Sequence, residues 1–160
     1  LVDENDSAIA TAPANDGRAK KSAEIETGET KTEVSLSGIN VLLVEDDLDA
    51  RNLIHRLLEI RGATVTSTAS AAEALKAFNV KVPDVLVSDI AMPDEDGYSL
   101  LRKVRRLPNE RGGQTPAIAL TGYASTKDKA DTFAAGYQAH VAKPLEPEDL
   151  ITAIEQVISK

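Results

Sequence analysis

An α/β domain with five parallel strands and helices on both faces is the fold class that this sequence predicts. Two observations carry the prediction. From residue 39 onward, short apolar runs of strand length alternate with stretches whose apolar residues recur at helical spacing, the pattern of repeated βα units. Four of the runs also end in polar residues suited to one site. Val41-Leu42-Leu43-Val44 leads into Glu45-Asp46-Asp47, and Val85-Leu86-Val87 leads through Ser88 into Asp89. Ala117-Ile118-Ala119-Leu120 leads into Thr121, and Ala139-His140-Val141-Ala142 leads into Lys143-Pro144. Parallel strands bring all these ends to one edge, where open α/β sheets bind their ligands.

Each element has a local reason. Ile39–Val44 reads as the first strand. Asp47 is an N-cap for a helix in which Leu53, Ile54, Leu57 and Leu58 share helical spacing, and Gly62 stops it. Ala63–Ser67 is a short second strand. Ser70 and Glu73 form a capping box ahead of Ala74, Leu75 and Phe78. Pro83 and Asp84 open the third strand, which ends at Asp89. The loop from Ile90 to Gly97 carries Met-Pro and Asp-Gly turn signals and leads to a helix with Leu100, Leu101 and Val104. Residues 108–114 are a polar loop before the strand that ends at Thr121. Ser125 caps a helix running through Phe133 and Ala134 to Gly136. After the fifth strand, Lys143-Pro144 is a tight turn. Pro147 then sits near the first helical position, and Leu150, Ile151, Ile154, Val157 and Ile158 make an apolar face. Right-handed crossovers leave few topologies. Strand order 2-1-3-4-5 places the reversal between strands one and three, so that Asp46 and Asp89 meet at the switch point.

Composition narrows the function classes. The 160 residues are 42% hydrophobic, with a formal charge of −8 and no basic block, which disfavours nucleic acid and anionic membrane as partners. No apolar run approaches membrane-spanning length. With no cysteine, disulfides and thiolate metal sites are excluded, and two distant histidines argue against zinc. Residues 1–37 hold almost no large apolar side chains and read as a flexible linker, with 38–160 as the folded domain. The chain starts at Leu1 and its only methionine is Met92, so it reads as processed or as an excised piece of a longer protein, with this domain expected in the cytoplasm and the parent open to a membrane anchor.

A carboxylate cluster, a lone acid, a hydroxyl and an ammonium at one edge can hold a divalent cation and a phosphoryl group together. Glu45, Asp46 and Asp89 would repel one another without a cation, and carboxylates with a carbonyl suit Mg²⁺, with Mn²⁺ as a substitute. Taken singly, each residue has a plainer role: Asp47 as a helix cap, Glu45 and Asp46 as surface acids, Thr121 as a strand-end hydroxyl, Lys143 as a solvated lysine. Their joint occurrence at four strand ends favours the site. Asp94 and Asp96 read as shaping the turn before Gly97.

Val-Glu-Asp-Asp, Ser-Asp-Ile-Ala-Met-Pro-Asp-Glu-Asp-Gly, Leu-Thr-Gly and Ala-Lys-Pro, in that order and each behind an apolar run, resemble the CheY-like receiver domains of two-component response regulators. The resemblance covers residues from about 39 to 160. It implies that Asp89 accepts a phosphoryl group from a phosphohistidine. Asp46, Asp89 and the Ala91 backbone carbonyl would bind Mg²⁺, with Glu45 acting through water. Lys143 and Thr121 would contact phosphoryl oxygens, and Gly122 would leave room for the group. His140 stands where the family often has an aromatic switch residue, and is read equally as a strand histidine. Ala91 and Tyr123 occupy positions that tune hydrolysis, which implies slow self-dephosphorylation. The chain itself would be an acceptor rather than an enzyme. Its partners would be a histidine kinase or phosphotransfer protein upstream and a phosphotransfer or output protein downstream. The parent is expected to be a hybrid sensor histidine kinase, with a stand-alone regulator as the alternative.

Three rivals fit less well. A haloacid-dehalogenase-like phosphatase needs a second acid where Ala91 stands. A flavodoxin-like cofactor binder needs a phosphate cradle where Glu45-Asp46-Asp47 would repel one. A non-phosphorylated pseudo-receiver typically loses acids or the lysine that this chain keeps.

Overall fold

A computed structural model describes residues 34–122 and 126–159. Five strands, β1 (Asn40–Val44), β2 (Thr64–Thr68), β3 (Val85–Asp89), β4 (Ala117–Thr121) and β5 (Ala139–Ala142), alternate with five helices. The helices are α1 (Leu48–Ile60), α2 (Ala71–Val80), α3 (Gly97–Arg105), α4 (Thr126–Ala134) and α5 (Pro147–Ile158). All strand pairs are parallel and the order is β2-β1-β3-β4-β5, as expected. Register places Val44 beside Ser88 and Leu120 beside Asp89, so the strand ends with chemistry lie on one edge.

Two apolar layers cover the sheet. On one side Val41, Leu43, Val85, Val87, Ile118 and Leu120 pack with Ile54 and Leu58 of α1 and with Leu150, Ile151 and Ile154 of α5. On the other, Leu42, Val44, Leu86, Ala117 and Ala119 pack with Ala74 and Phe78 of α2 and with Leu100, Leu101 and Val104 of α3. The caps read at Asp47 and Ser70 hold, and Asp96, read as shaping the turn, also caps α3. Asp47 accepts from the Ala50 amide at 2.8 Å, Ser70 from Glu73 at 3.2 Å and Asp96 from Ser99 at 2.9 Å. The α1 stripe is narrower than its spacing suggests: Ile54 and Leu58 are buried, whereas Leu53 is 67% exposed.

The folded body begins before the expected boundary at Ser37-Gly38. Leu36 is 1% exposed within the core, Val34 packs on it, and the Leu36 amide donates to the Arg61 carbonyl at 2.7 Å. Val34 and Leu36 alternate with serines, a strand-like period that the polar composition of the whole arm hides. Gly62, with φ +101°, lies against this entry, since a Cβ there would meet the Ser37 nitrogen at 3.1 Å. Leu36→Ala should therefore lower stability by about 2–5 kcal/mol, as for other buried leucines. Denaturant unfolding checks this, because a leucine in a flexible arm would give no change. Residues 1–33 of the linker expected over 1–37, together with Tyr123 and the Ser125 cap, lie outside the described residues.

Candidate functional site

Glu45 leaves β1 on the sheet edge with its amide donating to the Thr68 carbonyl of β2 at 3.1 Å. Its carboxylate turns inward and is 1% exposed. A carboxylate so placed must be satisfied or it would not stay ionised. Oε2 accepts from the Asp47 amide at 3.2 Å, and Oε1 accepts from Lys143 Nζ at 2.9 Å. Asp46, next in the chain, stays exposed and faces the same opening. Glu45, Asp46 and Asp89 each offer a carboxylate oxygen, and these oxygens lie within 4.8 Å of one another.

Asp89 closes β3 and is 5% exposed. Its Oδ1 accepts from the Ala91 amide at 3.3 Å and its Oδ2 from Lys143 Nζ at 3.1 Å. Gly97 makes the turn behind it possible. A Cβ at Gly97 would meet the Asp89 carbonyl oxygen at 2.5 Å, which only glycine avoids. Asp94, at φ +68°, takes the left-handed conformation that Asp tolerates, and Asp96 caps α3, so both acids shape the loop as expected.

Lys143 leaves β5 through a cis peptide to Pro144, its amide held by the Thr121 carbonyl at 2.8 Å. Its ammonium reaches Glu45, just past β1, and Asp89, at the end of β3. Burial pulls its pKa down, but hydrogen bonds to Glu45 and the charge of Asp89 outweigh that and leave it above the ordinary lysine value. For Glu45 the balance is opposite in origin. Burial pushes its pKa up, and Asp89 adds to the rise, against the hydrogen bonds from Lys143 and Asp47. Lys143 thus touches two of the three clustered carboxylates, and even with Arg51 on the Glu45 and Asp46 carbonyls the acids outnumber the cations. That donor set, hard oxygens at short mutual distance with unbalanced charge, fits a small divalent cation.

Beside the acids, a cavity of about 410 Å³ is lined by Ile90, Ala91, Met92, Asp96, Tyr98, Thr121 and Gly122. Thr121 is 7% exposed at the end of β4. Around an added Cβ at Gly122 nothing among the described residues lies within 4 Å. Asp89, Asp46, Glu45, Lys143, Thr121, Gly122 and Ala91 are all brought to this edge. His140 is not: it lies within β5, paired in register with Ala119, 6.0 Å ring to ring from Phe133 of α4. Its buried Nδ1 has no hydrogen-bond partner among the described residues. Sequence reading overlooked Arg51, whose guanidinium donates to the Glu45 carbonyl at 2.9 Å and holds the acid loop from α1. An arginine in the turn after an Asp cap was the available signal.

Comparison with known proteins places the geometry. A family model described as the response regulator receiver domain matches residues 41–155. An uncharacterised 14.6 kDa protein of Leptolyngbya boryana is 41% identical over 122 residues, covering 76% of this chain and 92% of that one. The hybrid signal transduction histidine kinase D of Dictyostelium discoideum is 34% identical over 131 residues, 78% of this chain but only 8% of the kinase. Among solved structures, the receiver domain of a sensor histidine kinase from Pseudomonas aeruginosa superposes with a TM-score of 0.70 at 31% identity. The alignment covers 78% of this chain and all of that domain, which was solved with magnesium coordinated in its active site cleft.

Proposed function

This chain belongs to the response regulator receiver domain family of two-component signalling, and from that premise we propose that it takes a phosphoryl group from a phosphohistidine onto Asp89. The observation that carries the reading is the contact of Lys143 Nζ with both Glu45 and Asp89 beside a third acid. It sets an ammonium against Asp89 within a cluster of three acids that could hold a divalent cation.

Phosphoryl transfer needs little covalent help from a protein, so placement and charge neutralisation dominate. An Asp89 carboxylate oxygen attacks phosphorus as the bond to the donor imidazole breaks, leaving that electron pair on nitrogen. Lys143 would follow the transferred group with its point charge while keeping one hydrogen bond to Glu45. Thr121 would donate its hydroxyl to a second phosphoryl oxygen, and Gly122, with no side chain, would leave room for the group. Asp46, Asp89 and the Ala91 carbonyl would hold Mg²⁺, with Glu45 through water. The ion supplies neutralisation of the acid cluster and of charge on the phosphoryl oxygens. Incubation with acetyl phosphate should add the mass of one phosphoryl group with Mg²⁺ and none in EDTA. No gain in the presence of both reagents would sink the proposal.

Mg²⁺ alone should raise the thermal midpoint, because it relieves repulsion present only in the folded state. At a hundredfold excess over its dissociation constant the gain is about 2.7 kcal/mol, or roughly 5–10 °C for a domain of this size. Asp46→Ala should lose this gain without losing stability in EDTA, since it removes an exposed like charge. Differential scanning calorimetry with and without the ion checks both statements.

With Ala91 unable to hydrogen-bond water through its side chain, the phosphoryl group should outlast the seconds timescale. The parent is proposed to be a hybrid histidine kinase, on the similarity to kinase receivers. A second reading, a single-domain regulator, is favoured by the 92% coverage of the 14.6 kDa relative. In either case the partners are a histidine kinase or phosphotransfer protein, and the domain acts in the cytoplasm. No helix among the described residues is long and apolar enough to cross a membrane.

A further inference from the structure

The joint between α4 and β5 is tied to α3 at both of that helix's ends. At the far end, the Arg105 guanidinium donates to the Gly113 and Gly136 carbonyls, both at 2.9 Å, and to Gln138 Oε1 at 3.3 Å. Gln138 Oε1 in turn accepts from the Ala117 amide of β4 at 2.7 Å. Between these anchors sits Tyr137, 3% exposed, whose hydroxyl donates to the Gly97 carbonyl at 2.7 Å. Gly97 is the first residue of α3 and the last of the loop that follows Asp89.

That loop is short and closed. The Gly97 amide donates to the Ile90 carbonyl at 2.9 Å, and the Gly97 α-carbon packs directly on the Asp89 backbone. The Ser88 hydroxyl donates to the Asp89 carbonyl at 2.9 Å. Within the closed loop lies Ala91, whose amide holds Asp89 Oδ1. Displacing Gly97 therefore displaces the backbone of both the acceptor and the carbonyl assigned to the metal. Burial pushes the Tyr137 pKa far above the ordinary tyrosine value, so the phenol stays a donor throughout the working pH range.

We propose that Tyr137 is a positioning residue, whose hydroxyl fixes Gly97 and through it holds the Asp89–Gly97 loop in metal-binding form. The proposal rests on the reading of Asp89 and Ala91 given above, but its first test does not need that reading. A phenol at this place acts on the site from outside it. Its hydroxyl bonds the Gly97 carbonyl, not a group assigned to the phosphoryl oxygens or the ion, and the sequence offers no sign of that partner, which lies 40 residues earlier.

Tyr137→Phe removes the oxygen and keeps the ring, so the core packing survives. In EDTA, amide hydrogen exchange at Ala91 and Gly97 should speed by about 2- to 10-fold, the worth of one hydrogen bond. Mg²⁺ affinity by titration calorimetry should weaken by about 10-fold, as for other groups that orient metal ligands. Phe78→Leu, a core change in α2 away from the loop, serves as the control. It should lower the thermal midpoint while leaving both loop exchange and Mg²⁺ affinity as in wild type. Unchanged exchange at the two amides in Tyr137→Phe would overturn the proposal, as would an equal effect from Phe78→Leu. Failure of the wild type to gain a phosphoryl group would instead count against the acceptor reading, and the metal-free exchange result would stand by itself.

Discussion

Asp89→Asn should accept no phosphoryl group from acetyl phosphate under conditions in which the wild type is converted. The substitution is nearly isosteric, and its side-chain oxygen can still accept from the Ala91 amide as Oδ1 does now at 3.3 Å. The effect is chemical. A carboxamide oxygen is a far weaker nucleophile than a carboxylate, and the adduct could not form a stable acyl phosphate. Loss of one of the three acids should also weaken Mg²⁺ binding, so the ion should raise the thermal midpoint less than in wild type. The metal-free baseline sets relief of repulsion against the lost ion pair with Lys143. Intact mass gives the first answer and calorimetry with and without the ion the second. Undiminished phosphorylation would move the acceptor to another residue of the cluster, with exposed Asp46 the first to examine.

The parts of this site that were legible in the sequence share a physical cause. Strands buried on both faces carry uninterrupted apolar runs, so the residue that ends each run marks the sheet edge whatever the helices do. Asp89, Thr121 and Lys143 were readable for that reason, and the parallel register then sets them side by side. The capping residues were readable because their partners are three residues away.

What was hidden depends on contacts distant in sequence or on backbone groups. Leu36 belongs to the core through a hydrogen bond to the Arg61 carbonyl, and nothing in a serine-rich arm announces that. Tyr137 bonds a carbonyl, which has no residue identity to recognise. Leu53 fits the helical stripe of α1 yet stays exposed, because the sheet beneath α1 covers only the part of the stripe around Ile54 and Leu58. The depth of Glu45 was hidden too. Taken singly it reads as a surface acid, and although the strand-end pattern assigns it to the site, only the fold reveals that Lys143, 98 residues later, makes its burial tolerable.

That pairing gives Lys143→Ala two separable consequences. The first is kinetic. Removing the one ammonium that touches Asp89 takes away a preorganised positive group at the point where phosphoryl charge must be met. Loss of such a group costs about 10²–10³-fold in rate, and the mass gain from acetyl phosphate should slow accordingly. Arginine should not restore it, because a planar fork cannot replace a compact ammonium that points at two carboxylates at once. The second consequence is thermodynamic. Glu45 loses the hydrogen bond to Oε1 while remaining buried, at a cost of about 1–3 kcal/mol. Its pKa, already above the ordinary value through burial, rises further without the lysine. A raised carboxylate pKa in the folded state means that folding binds a proton more tightly than the unfolded chain does, so stability falls as pH increases. The deficit of the variant against wild type should therefore be least below the ordinary glutamate value of about 4.3, where Glu45 is neutral in both states. It should grow as pH rises through the elevated folded value and level off above it. Thermal melts in EDTA across that range test the sign directly. A deficit of constant size would mean that Lys143 contributes packing rather than charge, and a deficit that shrinks toward neutral pH would place the unpaired buried acid somewhere other than Glu45.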